Sequence, residues 1–366
     1  PTDLKYVWAY RNRLYFIEKN SLDAWYLPVD SIGGAATEFK MGGIFTLGGK
    51  LLFGTSWSAN LSAQTDEVWI VGTTQGEIAV YSGTYPGDAS WKIQGLYRIG
   101  KPLGQNCVMR AGGDVAIVTE DGIVPMSKVV SLDRVALANE AITKPIQPAW
   151  RYAVADRTGQ SGWSITSWQV EGMVVVNLPQ IDTNDRTQYI ANARTGAWCR
   201  YTGWDAKCFG VYNNKLYFGT SDGRVMRGET GGSDDATLYT GAMMWSYTDA
   251  KQGPARKHLK AIRPMYRTTY NAAPAFTILL DYDEELPSPP SAITSQPEGA
   301  AWDAAVWDTD VWPEGQVAVG SWSWRSVGGI GGVFAPVMQV SIDSTVAPEF
   351  DLQQVDVLFE IGEALG

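Results

Sequence analysis

The chain has 366 residues, 45% hydrophobic and 19% charged, which supplies enough apolar material for a sizeable core and more than one domain. Its formal net charge of −10 repels nucleic acid and anionic membrane surfaces as a whole, so any polyanion must be met by a local patch. Three cysteines and a single histidine, His258, exclude a disulfide framework and a multi-histidine metal centre, and no run of about 18 apolar residues marks a membrane anchor.

The chain opens at Pro1 without an initiator methionine and enters strand-like sequence almost at once, so a preceding segment is expected. With 39 Gly, 16 Trp and 17 Tyr, tight turns and aromatic strands dominate the pattern. Leading strands are expected at 7–10 before Arg11-Asn12-Arg13, at 45–47 before Gly48-Gly49, at 108–110 before Gly112-Gly113, and at 209–212 before Asn213-Asn214. Hairpins follow. Val68-Trp69-Ile70-Val71 before the Gly76 turn matches Leu216-Tyr217-Phe218 before Gly223, and both resemble Val115-Ala116-Ile117-Val118 before Gly122. The resulting units, at 5–40, 44–83, 91–130, 163–204 and 206–230, have the period of four-stranded propeller blades. We expect an all-β protein whose residues 1–235 form a β-propeller of five to six blades, interrupted by a short helix near 131–145 with Asp133 at its start. Past Gly231-Gly232 the period is lost. Residues 236–366 are expected to form a β-sandwich-like platform or assembly domain, with strands at 238–247, 275–282, 320–326, 334–342 and 355–361 and an exposed loop at 286–299.

The chemistry-bearing residues are few. Lys251, Arg256, Lys257, His258, Lys260, Arg263 and Arg267 form a basic run with no acid between its ends in an otherwise acidic chain. It suits contact with an acidic neighbouring subunit or with DNA phosphates, and equally a solvated strand edge guarded by lysines. Asp281, Asp283, Glu284 and Glu285 cluster without the ligand spacing of a calcium loop, so no metal site is expected. The Trp302-Asp303, Trp307-Asp308, Asp310 and Trp312 rhythm suits either a sugar platform or a packed interface. Thr220-Ser221-Asp222-Gly223 has the turn of a sialidase-type Asp-box without its Trp, and neither a phosphate loop nor a nucleophile elbow is present. We therefore expect no enzyme and no cofactor. Cys107, Cys199 and Cys208 fit a reducing compartment, with a Cys199–Cys208 bridge the one pairing left open.

Several stretches resemble a known family. Trp8-Ala9-Tyr10-Arg11-Asn12-Arg13-Leu14-Tyr15, Ala24-Trp25-Tyr26-Leu27-Pro28, Ile32-Gly33-Gly34, Gly76-Glu77-Ile78-Ala79-Val80-Tyr81 and Gly112-Gly113-Asp114-Val115 resemble the tail nozzle, tail tubular and packaged-DNA-stabilisation proteins of short-tailed bacteriophages. The resemblance covers about residues 5–235, and its motifs are structural turns and strands. It implies a virion protein of the tail, assembled in the host cytoplasm into a homo-oligomeric ring of six subunits. Portal, adaptor and other tail proteins would be its partners, and genomic DNA would pass through without sequence-specific contact. A carbohydrate-binding or polysaccharide-degrading propeller is the alternative, and a scaffold propeller that binds cellular proteins is the third reading.

Overall fold

A computed structural model describes residues 3–59, 66–182, 186–253, 255–268, 274–291, 319–344 and 349–362. The fold is all-β, 50% strand and 7% helix, built from several small antiparallel sheets. It divides into two compact units, Pro1–Gly228 and Glu229–Gly366.

The first unit is a series of five meanders, each with its strands hydrogen-bonded in sequence order. They are β1 (Leu4–Tyr10), β2 (Arg13–Glu18), β3 (Asp23–Tyr26) and β4 (Thr37–Lys40); β5 (Leu51–Ala59), β6 (Asp66–Thr73), β7 (Glu77–Ser82) and β8 (Lys92–Arg98); β9 (Val108–Ala111), β10 (Asp114–Thr119) and β11 (Gly122–Pro125); β12 (Ser164–Trp168), β13 (Met173–Asn177), β14 (Thr187–Asn192) and β15 (Trp198–Thr202); and β16 (Cys208–Tyr212), β17 (Lys215–Gly219) and β18 (Val225–Arg227). Turn chemistry sets the hairpins. Arg11 and Asn12 at φ 44° and 57°, and Asn213 and Asn214 at 47° and 59°, are consecutive left-handed residues, which match the twist of the strands they join.

Burial shows how the meanders stack. In the first sheet one face is buried (Trp8, Tyr10, Tyr15, Ile17), and its core is shared with Trp69, Val71, Ala79 and Tyr81 of the second. The other face of the second sheet (Ile70, Ile78, Val80) joins a core with Ile117 and Ile123 of the third and Val176 and Tyr189 of the fourth. Trp168, Val175 and Ile190 then meet Leu216 of the fifth. The middle sheets are thus buried on both faces and read as continuous apolar runs, whereas the first and fifth alternate. Leading strands lie side by side at three junctions, β1 against β5, β9 against β12, and β12 against β16, while β5 lies against β10, the middle strand of the third sheet. The first junction is close, because a Cβ on Gly54 would fall 2.3 Å from Cζ2 of Trp8.

Two local expectations change. Residues 45–47 are a loop and not a leading strand: the buried Glu77 carboxylate accepts hydrogen bonds from the main-chain N–H groups of Thr46 and Leu47, which removes them from any ladder. The single helix near 131–145 is instead a cluster, with α1 (Met126–Val129), α2 (Arg134–Asn139), a 3-10 turn (Lys144–Ile146) and α3 (Gln147–Asp156). Asp133 does cap α2, accepting from Ala136 N at 2.8 Å. Pro148 sits in the first turn of α3, where a missing N–H costs nothing, so it starts a helix that it would have broken further in. No described helix is long and apolar enough to cross a membrane, and none of the three cysteines is joined in a disulfide.

The second unit contains β19 (Tyr239–Met244), β20 (Lys257–Thr268), β21 (Ala275–Leu280), β22 (Val319–Ser321), β23 (Arg325–Ser326), β24 (Ile330–Gly331), β25 (Phe334–Ile342) and β26 (Phe350–Ile361). One sheet has the order β19-β25-β21. In the other, β20 pairs along its whole length with β26 and, on its opposite side, with β22, β23 and β24 in turn. Leu259, Ile262, Val357 and Phe359 of the second sheet share a core with Ile278 and Phe334 of the first. The single strand expected over 320–326 is split into β22 and β23.

Candidate functional site

Five members of the basic run, Lys257, His258, Lys260, Arg263 and Arg267, lie on β20, while Lys251 and Arg256 precede it. The strand needs apolar residues on one face, and Leu259, Ile262 and Tyr266 fill the core. Lys260, Arg263 and Arg267 fall in the intervening positions and leave the core.

Opposite them runs an acidic strand. β26 is antiparallel to β20, with Arg267 across from Asp351, Arg263 from Asp356 and His258 from Glu360. Arg263 donates from Nε to Asp356 Oδ2 at 2.9 Å and from Nη2 to the same oxygen at 2.5 Å, its guanidinium lying 4.9 Å from the ring centre of Trp324. The Arg263 bonds hold the Asp356 carboxyl below the usual carboxylate range, with Gln354 Nε2 bonding its other oxygen. Lys260 Nζ is 3.0 Å from Glu360. Lys257 differs: it is fully buried, and its ammonium donates to the carbonyls of Gly253 at 2.9 Å and Gly332 at 2.6 Å, tying the preceding turn to the loop before β25. Lys251 and Arg256 are exposed, and Arg256 contributes its main-chain carbonyl to Gly362 N at 2.8 Å. Two members of the run, Lys260 and Arg263, are therefore paired with acids of the same chain, and Lys257 is held by main-chain carbonyls. Sequence reading missed the acids of β26, whose spacing of five and four residues does not match the four and five of 267, 263 and 258 and is brought into line only by irregularities of the ladder at Leu259/Ala261 and Met265/Tyr266.

The other acids brace turns. Asp281 accepts from Gly332 N at 2.6 Å and Val333 N at 3.3 Å, and Asp283 from Glu285 N at 3.0 Å. Among the described residues no group of three or more His, Cys, Asp or Glu side chains is placed to hold a metal. In the Thr220-Ser221-Asp222-Gly223 turn, the Thr220 hydroxyl and then Arg224 Nε, at 2.7 Å, bring the Asp222 pKa down to about 2. Asp205 accepts from the Ser221 hydroxyl, from Gln180 Nε2 at 3.0 Å and from Ser221 N at 3.3 Å, and these bonds, the hydroxyl first, lower its pKa. That turn is a structural brace between the fourth and fifth sheets. Of the exposed aromatics, Trp322 is 70% and Trp324 47% accessible. The residues 302–312 that carry the Trp-Asp rhythm lie outside the described residues.

No protein-family model and no curated protein matches the sequence. Among solved structures, Raptor from Chaetomium thermophilum aligns with a TM-score of 0.37 and 12% identity over 63% of this chain. The computationally designed Ika8 protein aligns with a TM-score of 0.32 and 13% identity over 61% of this chain and 57% of its own. The chain spans 19% of the length of Raptor.

Proposed function

We propose that the chain is a structural virion protein of a bacteriophage tail, one subunit of a ring-shaped nozzle or tube that retains packaged DNA and conducts it on ejection. The observation that carries this reading is the series of five meanders packed in chain order, with leading strands adjacent at three of the four junctions. Such a series supports a propeller, whose blades are small antiparallel meanders set side by side, and it falls in the residues that resemble the tail proteins. In this reading residues 1–235 are a propeller of five to six blades and residues 236–366 are a β-sandwich-like platform. Six copies would form the ring, with portal, adaptor and other tail proteins as neighbours. The net charge of −10 supports a wall along which DNA slides without sticking.

Because Lys260 and Arg263 are answered by Glu360 and Asp356, the exposed Lys251, Arg256, His258 and Arg267 remain for subunit or DNA contact. Electron micrographs of the purified chain, together with antibody labelling of virions, test the proposal. A ring coaxial with the tail is expected. A monomer that binds polysaccharide and is missing from virions refutes it.

A further inference from the structure

The first, second and fourth sheets each end on a fourth strand, β4, β8 and β15, and the third has α1 packed against β10 and β11. The fifth sheet stops at β18, which among the described residues pairs only with β17. The ladder fixes which of its groups point away. Thr220 N donates to Arg224 O at 2.9 Å and Gly228 N to Leu216 O at 3.0 Å, so residues 224, 226 and 228 turn their main-chain groups toward β17. The alternation of an antiparallel ladder then directs the N–H and C=O of Val225 and Arg227 to the free edge.

The side chains at this edge have a definite character. Val225 is 74% exposed although apolar, and Arg227 is exposed beside it. They share the outward face with Lys215 and Tyr217, since Arg227 stands opposite Tyr217 and Val225 opposite Gly219, while Leu216 and Phe209 face the fourth sheet. This face carries Cys208, Gly210, Tyr212 and Gly219 besides, and no acid. In a chain of net charge −10 it is a local cationic surface with unpaired strand edge and an exposed aliphatic residue.

We infer that the outer edge of the fifth sheet is a strand-addition site for an extended acidic segment of a partner polypeptide. The incoming strand pairs with the N–H and C=O groups of Val225 and Arg227 and sets the carboxylates of its outward face beside Arg227, with Lys215 of β17 one strand further in adding to the local positive charge. Three sheets of the same unit already hold a strand at this place, so the position is one the fold accommodates.

The test uses the full chain and two synthetic seven-residue peptides, one alternating Val with Glu and one alternating Val with Lys. Affinity is read by fluorescence anisotropy and protection by hydrogen exchange at 225–227. The acidic peptide is expected to bind roughly tenfold or more tightly than the basic one, to slow exchange at 225–227, and to weaken several-fold as salt rises from about 50 to about 500 mM. Val225→Pro removes an outward N–H and leaves the β17 ladder intact; it should lower affinity about tenfold, the equivalent of one main-chain hydrogen bond. Arg227→Glu should reverse the preference toward the basic peptide, and it decides the matter alone if circular dichroism shows that the proline variant is misfolded. Equal affinity for both peptides, absence of protection at 225–227, or a preference unchanged by Arg227→Glu overturns the inference.

Discussion

Glu77 offers the sharpest test of how the first unit is held together. Its buried carboxylate accepts from Thr46 N at 3.1 Å, Thr46 Oγ1 at 2.5 Å and Leu47 N at 2.7 Å, and Arg98 Nη2 in turn donates to Thr46 Oγ1 at 3.1 Å. One side chain thus fixes the loop between the first two sheets. Hydrogen bonds to a charged group contribute roughly 1.5–3 kcal/mol each, and they are not additive. Glu77→Gln keeps the shape but points an amide N–H2 at one of these donors, for an expected cost of about 2–3 kcal/mol; Glu77→Ala should cost about 3–5 kcal/mol. Burial works against ionisation of Glu77, but the Thr46 hydroxyl and the Leu47 and Thr46 N–H groups, with Arg98 nearby, outweigh it and lower the pKa. A carboxyl whose folded pKa lies below the unfolded value of about 4.3 contributes in full above that value and loses its contribution as pH falls through the folded pKa. Urea unfolding followed by Trp fluorescence should therefore show a gap between parent and Glu77→Gln that is constant from about pH 6 to 8 and narrows below about pH 4. A Gln variant within about 0.5 kcal/mol of the parent at pH 7, or a gap that does not narrow in acid, would refute the reasoning.

Other expectations follow from the same contacts. Gly54→Ala places a methyl group 2.3 Å from the Trp8 ring and should lower stability by about 1–3 kcal/mol, whereas Gly42→Ala, which meets nothing within 4 Å, should stay within about 0.5 kcal/mol in the same urea titration. Arg263→Ala removes both bonds to Asp356 and the contact with Trp324; for a pair at the protein surface the expected loss is small and shrinks at high salt, and a large, salt-independent loss would contradict a surface ion pair. Thiol labelling of the folded chain should modify the exposed Cys199 and Cys208 and spare Cys107, which is fully buried with its pKa raised by desolvation. Mass spectrometry showing three labels before unfolding would count against that core.

The repeat of strand and turn was legible because its causes are local. Consecutive left-handed residues at Arg11-Asn12 and Asn213-Asn214 define hairpins wherever they stand, and Asp133 announces a helix start through its own short side chain. The strand Phe334–Ile342 was read with its observed bounds. The leading strand at 45–47 was misread because an apolar run before Gly-Gly carries the same local signal as a strand, while the group that captures its N–H donors, Glu77, is thirty residues away. Helix α3 was hidden by Pro148, whose meaning depends on which turn of the helix it occupies.

At the candidate site the division is plainer still. The sequence by itself determined that positive charge gathers at 251–267 and that the turns of the first unit are hairpins. Only the tertiary structure decided what the charge meets. Pairing β20 with β26 brings Asp356 to Arg263 and Glu360 to Lys260 across more than ninety residues of chain. Register between distant strands is set by which faces are buried together, and no local property of either strand specifies it.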